Sequence, residues 1–210
     1  MTATLPDTVL AIDTSAAMAV AVLGERDGHE RPVLARRSVF APRGHAELLA
    51  GLVRDALAEA GAGRPGRVVV GTGPAPFTGL RVGIVTARTL AHVWGVQVDG
   101  VCSLDGIGAA RSGEVTAVAD ARRREVYWAT YRDGVRVGGP EVGSAADVPV
   151  LGDVVGRGAL LYPEAFPGAT DADPDPAVLV AVADAARARG EDLPTEPLYL
   201  RRPDVHGVGA

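Results

Sequence analysis

Two aspartates close apolar runs in this chain. Asp13 ends Val9-Leu10-Ala11-Ile12, and Asp120 ends Val115-Thr116-Ala117-Val118-Ala119. A short turn and another apolar run follow each of them, Met18 to Leu23 after the first and Val126 to Tyr131 after the second. If the repeated pattern is a duplication, the two turns would face each other across a cleft, where a pair of carboxylates can hold a magnesium ion against nucleotide phosphates. On that reading Asp13, Thr14, Ser15 and Asp120 are the candidate phosphate-cleft residues, and the activity they motivate is an ATP-dependent phosphotransferase. Without the repetition of the pattern each aspartate would be read as a structural turn residue, because its side chain bonds readily to the backbone of its own turn.

The second stretch with chemical content is Gly71-Thr-Gly-Pro-Ala-Pro-Phe-Thr-Gly-Leu-Arg-Val-Gly83. It leaves a strand, passes through a turn stiffened by Pro74 and Pro76, and enters a helix. Glycine at 71 and 73 permits close backbone approach, and Thr78 is a good N-cap candidate. Such a loop presents amides to an anion. It matches neither nucleotide-binding fingerprint, since Pro76 stands at the third glycine position and no Gly-Lys-Ser/Thr follows. Gly71, Gly73, Pro74, Phe77, Thr78 and Gly79 are therefore read as a structural loop.

Other chemistries are closed by composition. The 21 basic residues are all arginine, which excludes Schiff-base, P-loop and general-base lysines. The four histidines, His29, His45, His92 and His206, never fall three or four apart, so no pair shares a helical face as metal ligands. No Gly-x-Ser-x-Gly elbow occurs. The lone Cys102 allows no internal disulfide and fits a reducing compartment, and no apolar run reaches bilayer length, so a soluble cytoplasmic protein is expected. A net charge of -5 argues against gripping nucleic acid alone; Arg122-Arg123-Arg124 is the one run of three cations.

These residues need elements to hold them. Apolar spacing predicts a helix through Leu48, Leu49, Leu52, Val53, Ala56, Leu57 and Ala60, preceded by Pro42 and Gly44 and stopped at Gly61. A second helix is expected over 78–94, and a last one from about Pro176 to Arg189. Strands are expected at 9–13, 18–23, 33–40, 68–71, 96–101, 115–119 and 126–131, with turns and short strands over 138–175. In the second helix Gly79, Gly83, Ala87 and Ala91 recur every four residues. Two helical glycines cost about 1 kcal/mol each relative to alanine, so this bare stripe implies a very close neighbour. Leu80, Val82, Ile84, Val85, Leu90 and Trp94 make the helix apolar nearly all round, as expected of one central in its domain or, the favoured reading, half-covered by another chain. The strand-Asp-turn-strand pattern at 9–23 is echoed at 115–131, the mark of an internal duplication like that of actin-like and sugar-kinase-like ATPases.

Leu10-Ala-Ile-Asp-Thr-Ser15, His45-Ala-Glu-Leu-Leu49, the Gly71 to Gly83 element, Asp120-Ala-Arg122 with Glu125-Val-Tyr127, and Glu196-Pro-Leu-Tyr-Leu-Arg201 occur in the order and spacing of the TsaB family, which the chain resembles over most of its length. The resemblance implies an α/β, actin-like (ribonuclease H-like) duplicated fold. Two small subdomains are expected, 1–102 and 103–200, with a flexible tail over 201–210. It further implies a non-catalytic subunit that pairs with the catalytic paralogue TsaD, with TsaE as an associate, to place threonylcarbamoyl on tRNA adenosine. The paralogue carries a His-x-x-x-His metal pair; Ser103 and Ile107 stand in its place here and hold no iron or zinc. No catalytic residue, metal or intrinsic cofactor is expected, with ATP, if bound, at the assembled complex and tRNA met only through it. The expected interface is Leu49, Leu52, Val53, Leu80, Arg81, Gly83, Ile84, Ala87, Arg88 and Ala91, with a homodimer as the alternative for the free chain. A glycoprotease-like metallopeptidase ranks behind both other readings.

Overall fold

Strands covered on both faces lose the apolar–polar alternation of a half-exposed strand, and the first run of this chain does so. Val9, Leu10, Ala11 and Ile12 are all buried, and in the computed structural model, which describes residues 4–28, 30–40 and 45–201, they lie in the middle of a five-stranded sheet. That sheet contains β1 (Thr4–Asp13), β2 (Met18–Leu23), β3 (Val33–Val39), β4 (Arg64–Gly71) and β5 (Gln97–Val101) in the order β3-β2-β1-β4-β5. The first three strands are antiparallel; β4 and β5 continue parallel to β1. Leu10, Ile12, Val20, Val68 and Val70 face α1 (His45–Glu59) and α2 (Phe77–Trp94). Their neighbours in sequence, Val9, Ala11, Ala21 and Val69, face α4 (Pro176–Ala188) through Leu179, Val180 and Ala183.

The second sheet repeats the opening of the first. Strands β6 (Glu114–Asp120), β7 (Glu125–Arg132), β8 (Val135–Ser144) and β9 (Asp153–Val155) are ordered β8-β7-β6-β9, with β9 parallel to β6 and the rest antiparallel. In both sheets the first strand pairs antiparallel with the second and parallel with the fourth. The duplication read from the two Asp turns is thus a duplication of topology. Short α3 (Asp105–Gly108) links the halves, and its Ile107 sits in the second core with Val115, Ala117 and Tyr131.

Three local expectations need correction. Helix α2 starts at Phe77 behind Pro76, which caps it without a side-chain bond, so Thr78 lies inside the helix. Strand β8 runs ten residues where the sequence suggested turns and short strands. Its glycines and Pro140 hid it, and they are tolerated because β8 is an edge strand with a register shift opposite Trp128 to Tyr131. Helix α4, which the sequence division gives to the second half, packs on the first sheet. It is pinned there by Asp184, whose carboxylate accepts from Arg26 at 2.6 Å, from Arg31 at 3.0 Å and from Arg67. Arg187 on the same helix bonds both oxygens of Asp99 on β5 at 2.9 Å. His29, Pro42, Gly44, His206 and the tail over 202–210 lie outside the described residues, as does the side chain of His45.

Candidate functional site

Strand β1 delivers Asp13 to the point where β4 ends and α2 begins, and there the carboxylate is enclosed. Its Oδ1 accepts from the Ser15 amide at 2.8 Å and the Ser15 hydroxyl at 2.6 Å. Its Oδ2 accepts from the Ser103 hydroxyl at 2.6 Å. The Ser103 oxygen in turn accepts from the Gly73 amide at 3.1 Å, and the Ser103 amide donates to the Gly73 carbonyl at 2.7 Å. Burial raises the Asp13 pKa above the ordinary carboxylate value, and Asp173 adds to the rise; the Ser103 and Ser15 hydrogen bonds oppose it. Both oxygens are already engaged.

Gly71 is what makes room for this. A Cβ there would stand 1.8 Å from Asp13 Oδ2 and 2.6 Å from the Ser103 oxygen. The small-residue stripe of α2 serves the same corner. Thr14 donates its hydroxyl to the Gly79 carbonyl at 2.9 Å, and a Cβ on Gly83 would meet Thr14 Oγ1 at 2.3 Å. The close neighbour implied by the stripe is therefore the turn after β1.

Asp120 is built differently. It is half-buried and accepts from the Arg122 amide at 2.7 Å, and its carboxylate pairs with the Arg122 guanidinium at 3.4 Å. Asp13 bonds to Ser15 and Ser103, Asp120 to its own turn, and the acidic charge acting on Asp13 comes from Asp173. Arg122, Arg123 and Arg124 take φ of 62°, 53° and 64°, three successive left-handed residues. Beside them lies a cavity of about 140 Å³ between Ala75, Phe77, Tyr127 and Tyr199.

The expected interface set divides. Leu49, Val53, Leu80, Gly83, Ile84, Ala87 and Ala91 are buried in the first core and hold the two helices to their own sheet, so those side chains do not face outward. Leu52 is half-buried. Arg81 and Arg88 are exposed, but each is bonded within the chain, to Tyr199 and to Thr195 and Glu196. What α1 and α2 do offer outward is an open groove of about 600 Å³, lined by Leu57, Leu90, Trp94 and Arg54. Val85 and Val93 stand beyond it, 59% and 70% exposed. Sequence reading found the helix pair but took its inner face for the outer one. The roles of Ser103 and Tyr199 were missed, because only the fold brings them to Asp13 and to α2.

The remaining polar clusters read as structural. Tyr131 donates to Asp105 at 2.8 Å, and burial pushes the Cys102 thiol up to about 12, away from reactivity. Among the described residues no cluster of three or more His, Cys, Asp and Glu is placed to hold a metal, and no helix is long and apolar enough to cross a membrane.

Two sheets that share one opening topology, with an aspartate turn at the head of each, define the duplicated actin-like, ribonuclease H-like class. The family model described as "TsaD: tRNA N6-adenosine threonylcarbamoyltransferase" matches residues 39–156. A solved structure of YeaZ from Pseudomonas aeruginosa is 32% identical, covers 92% of this chain and 100% of its own, and superposes with a TM-score of 0.77. An uncharacterised Mycobacterium leprae protein is 44% identical over 96% of this chain, which spans 57% of that protein's length. The Escherichia coli tRNA threonylcarbamoyladenosine biosynthesis protein TsaB is 35% identical over 59% of this chain and 54% of its own. The chain belongs to the TsaB/YeaZ-like family.

Proposed function

We propose that this chain is the non-catalytic partner subunit in forming threonylcarbamoyladenosine on tRNA, docking through the outer face of α1 and α2 onto a TsaD-type catalytic subunit. Family membership supports a place in that biosynthesis. The observation that carries the finer reading is a contrast: the Asp13 turn is sealed, while the groove beside Leu57, Leu90 and Trp94 is open and apolar. A buried carboxyl whose oxygens already accept from Ser15 and Ser103 has little capacity left for magnesium. An exposed apolar groove with a charged residue, Arg54, in its lining has the make-up of a protein interface.

On this reading TsaE associates with the pair, ATP binds where the subunits meet rather than on the isolated chain, and tRNA is engaged by the complex. The test is reconstitution with tRNA, ATP, threonine-derived carbamoyl donor and the subunits added singly and together. This chain alone is expected to leave tRNA unmodified and to raise the yield of the TsaD-type subunit when added to it. Modification by the lone chain would sink the proposal, and so would a yield indifferent to its presence.

A further inference from the structure

Residues 191–201 form neither helix nor strand, yet this strap is tied to both sheets and to α2. Leu193 packs on the α4-covered face of the first sheet, and its carbonyl accepts from the Gly100 amide at 2.9 Å. The approach is so close that a Cβ on Gly100 would stand 2.1 Å from the Pro194 carbonyl oxygen. Along the flank of α2, Arg88 donates to the Thr195 hydroxyl at 2.7 Å and to Glu196 at 3.1 Å. Arg81 donates to the Tyr199 hydroxyl at 2.7 Å, and its guanidinium lies 4.0 Å above the Phe77 ring, on which Tyr199 stacks at 5.3 Å. Leu198 and Leu200 then enter the second core. Arg201 ends the strap by donating to the Ala121 carbonyl at 3.2 Å and pairing with Glu125.

The far end is thereby fixed to both sides of the arginine turn. Three consecutive left-handed arginines are costly for side chains with a Cβ, and such a conformation persists only where its surroundings over-determine it. Inside the turn the restraints are Asp120 on the Arg122 amide, the Ala121 amide on Glu125 at 3.1 Å, and the Glu125 amide on Arg122 at 3.0 Å. The strap supplies the restraint from outside. Backbone bonds hold Leu193 to Gly100 and the Leu198 amide to the Thr72 carbonyl at 2.8 Å, and the loosest tie is the Arg88–Glu196 pair, whose side chains are 45% and 75% exposed.

We propose that the strap is a transmission between α2 and the arginine turn. While Arg81 and Arg88 grip Tyr199, Thr195 and Glu196, the strap is taut and the turn, with the cavity beside Tyr127, keeps its shape. A carboxylate- or phosphate-bearing group that draws either arginine away slackens the strap and loosens the turn. The proposal stands apart from the partner reading, since it concerns couplings within the free chain. Coupling along such a path is established only by perturbing one end and reading the other.

The experiment is amide hydrogen exchange on the full-length free chain. Tyr199→Phe removes the Arg81 acceptor while keeping the ring stack, and Thr195→Ala with Glu196→Gln releases Arg88; of these positions only Tyr199 lines the cavity beside the turn. The amides of Ala121, Arg122 and Glu125 are expected to exchange about 2–10-fold faster in both variants, while those of Ile84, Ala87 and Ala91 inside α2 stay as in the parent. Arg201→Gln, which cuts the link at the turn, gives the reference size of the effect. Turn amides unchanged in the Thr195→Ala/Glu196→Gln variant would overturn the proposal, as would an Arg201→Gln variant whose turn exchanges like the parent.

Discussion

Ser103 donates its hydroxyl to Asp13 at 2.6 Å across 90 positions of sequence, and in doing so locks the end of β1 to the start of α3. The same oxygen takes the Gly73 amide, so one serine joins the aspartate turn, the glycine loop and the junction between the two halves. In a working phosphate cleft the aspartate would face solvent and a cation. Here it faces two hydroxyls and an amide.

The pH dependence of Asp13 follows from its burial. Its native pKa lies above the ordinary 3.8, so the native state holds the proton more tightly than the unfolded chain. Stability from this group is therefore full below 3.8 and is lost as pH rises through the raised native value. Each tenfold gain in proton affinity on folding corresponds to about 1.4 kcal/mol. Asp13→Asn keeps the geometry without the charge. Chemical denaturation at several pH values should show the variant gaining on the parent as pH rises to neutrality. A constant difference would mean that Asp13 is ionised in the native state.

Gly71→Ala places a methyl 1.8 Å from an Asp13 oxygen. Overpacking of this kind costs about 1–3 kcal/mol or more, so the midpoint of urea unfolding should fall clearly. Adding Asp13→Ser to that variant, which shortens the side chain in the way, should recover part of the loss. No recovery would place the clash elsewhere.

Asp184 gathers Arg26, Arg31 and Arg67. Burial acts to raise its pKa, but the three guanidiniums outweigh that and hold it below 3.8. Its contribution is present above that value and is lost as pH falls below it. Asp184→Asn leaves Arg67 with its remaining carboxylate at 3.6 Å, Asp99, and is expected to cost about 3–5 kcal/mol by calorimetry or denaturant melts. A loss under about 1 kcal/mol would reduce the network to a surface feature.

Isolated chain titrated with ATP and magnesium in a calorimeter should give no micromolar binding, because the Asp13 corner is filled by Thr14 against Gly79 and Gly83. A micromolar, magnesium-dependent affinity that Asp13→Asn abolishes would restore the phosphotransferase reading.

Much of this was legible in the sequence. The two Asp turns pointed to the duplication, because strand-turn-strand runs of the same pattern fold to the same pairing. The helix pair followed from apolar spacing. The stripe at Gly79, Gly83, Ala87 and Ala91 announced a close neighbour, but small residues do not say whether that neighbour belongs to the same chain. Here it is Thr14 at Gly79 and Gly83, and most of the apolar side chains expected at an interface lie in the first core. Strand β8 was hidden because edge strands tolerate the glycine and proline that mark turns elsewhere. Ser103 and Tyr199 carried no local signal: a serine before a short helix and a tyrosine in a strap acquire their roles only through contacts 90 and 118 positions away.

The partner role depends on the outer face of α2 being the docking face. Analytical ultracentrifugation of this chain with a TsaD-type subunit should show one complex. Val85→Arg and Val93→Arg, at side chains 59% and 70% exposed, should weaken it at least about tenfold while leaving the fold intact by circular dichroism. Complex formation unaltered by both arginines, or no complex with the parent chain, would contradict that role.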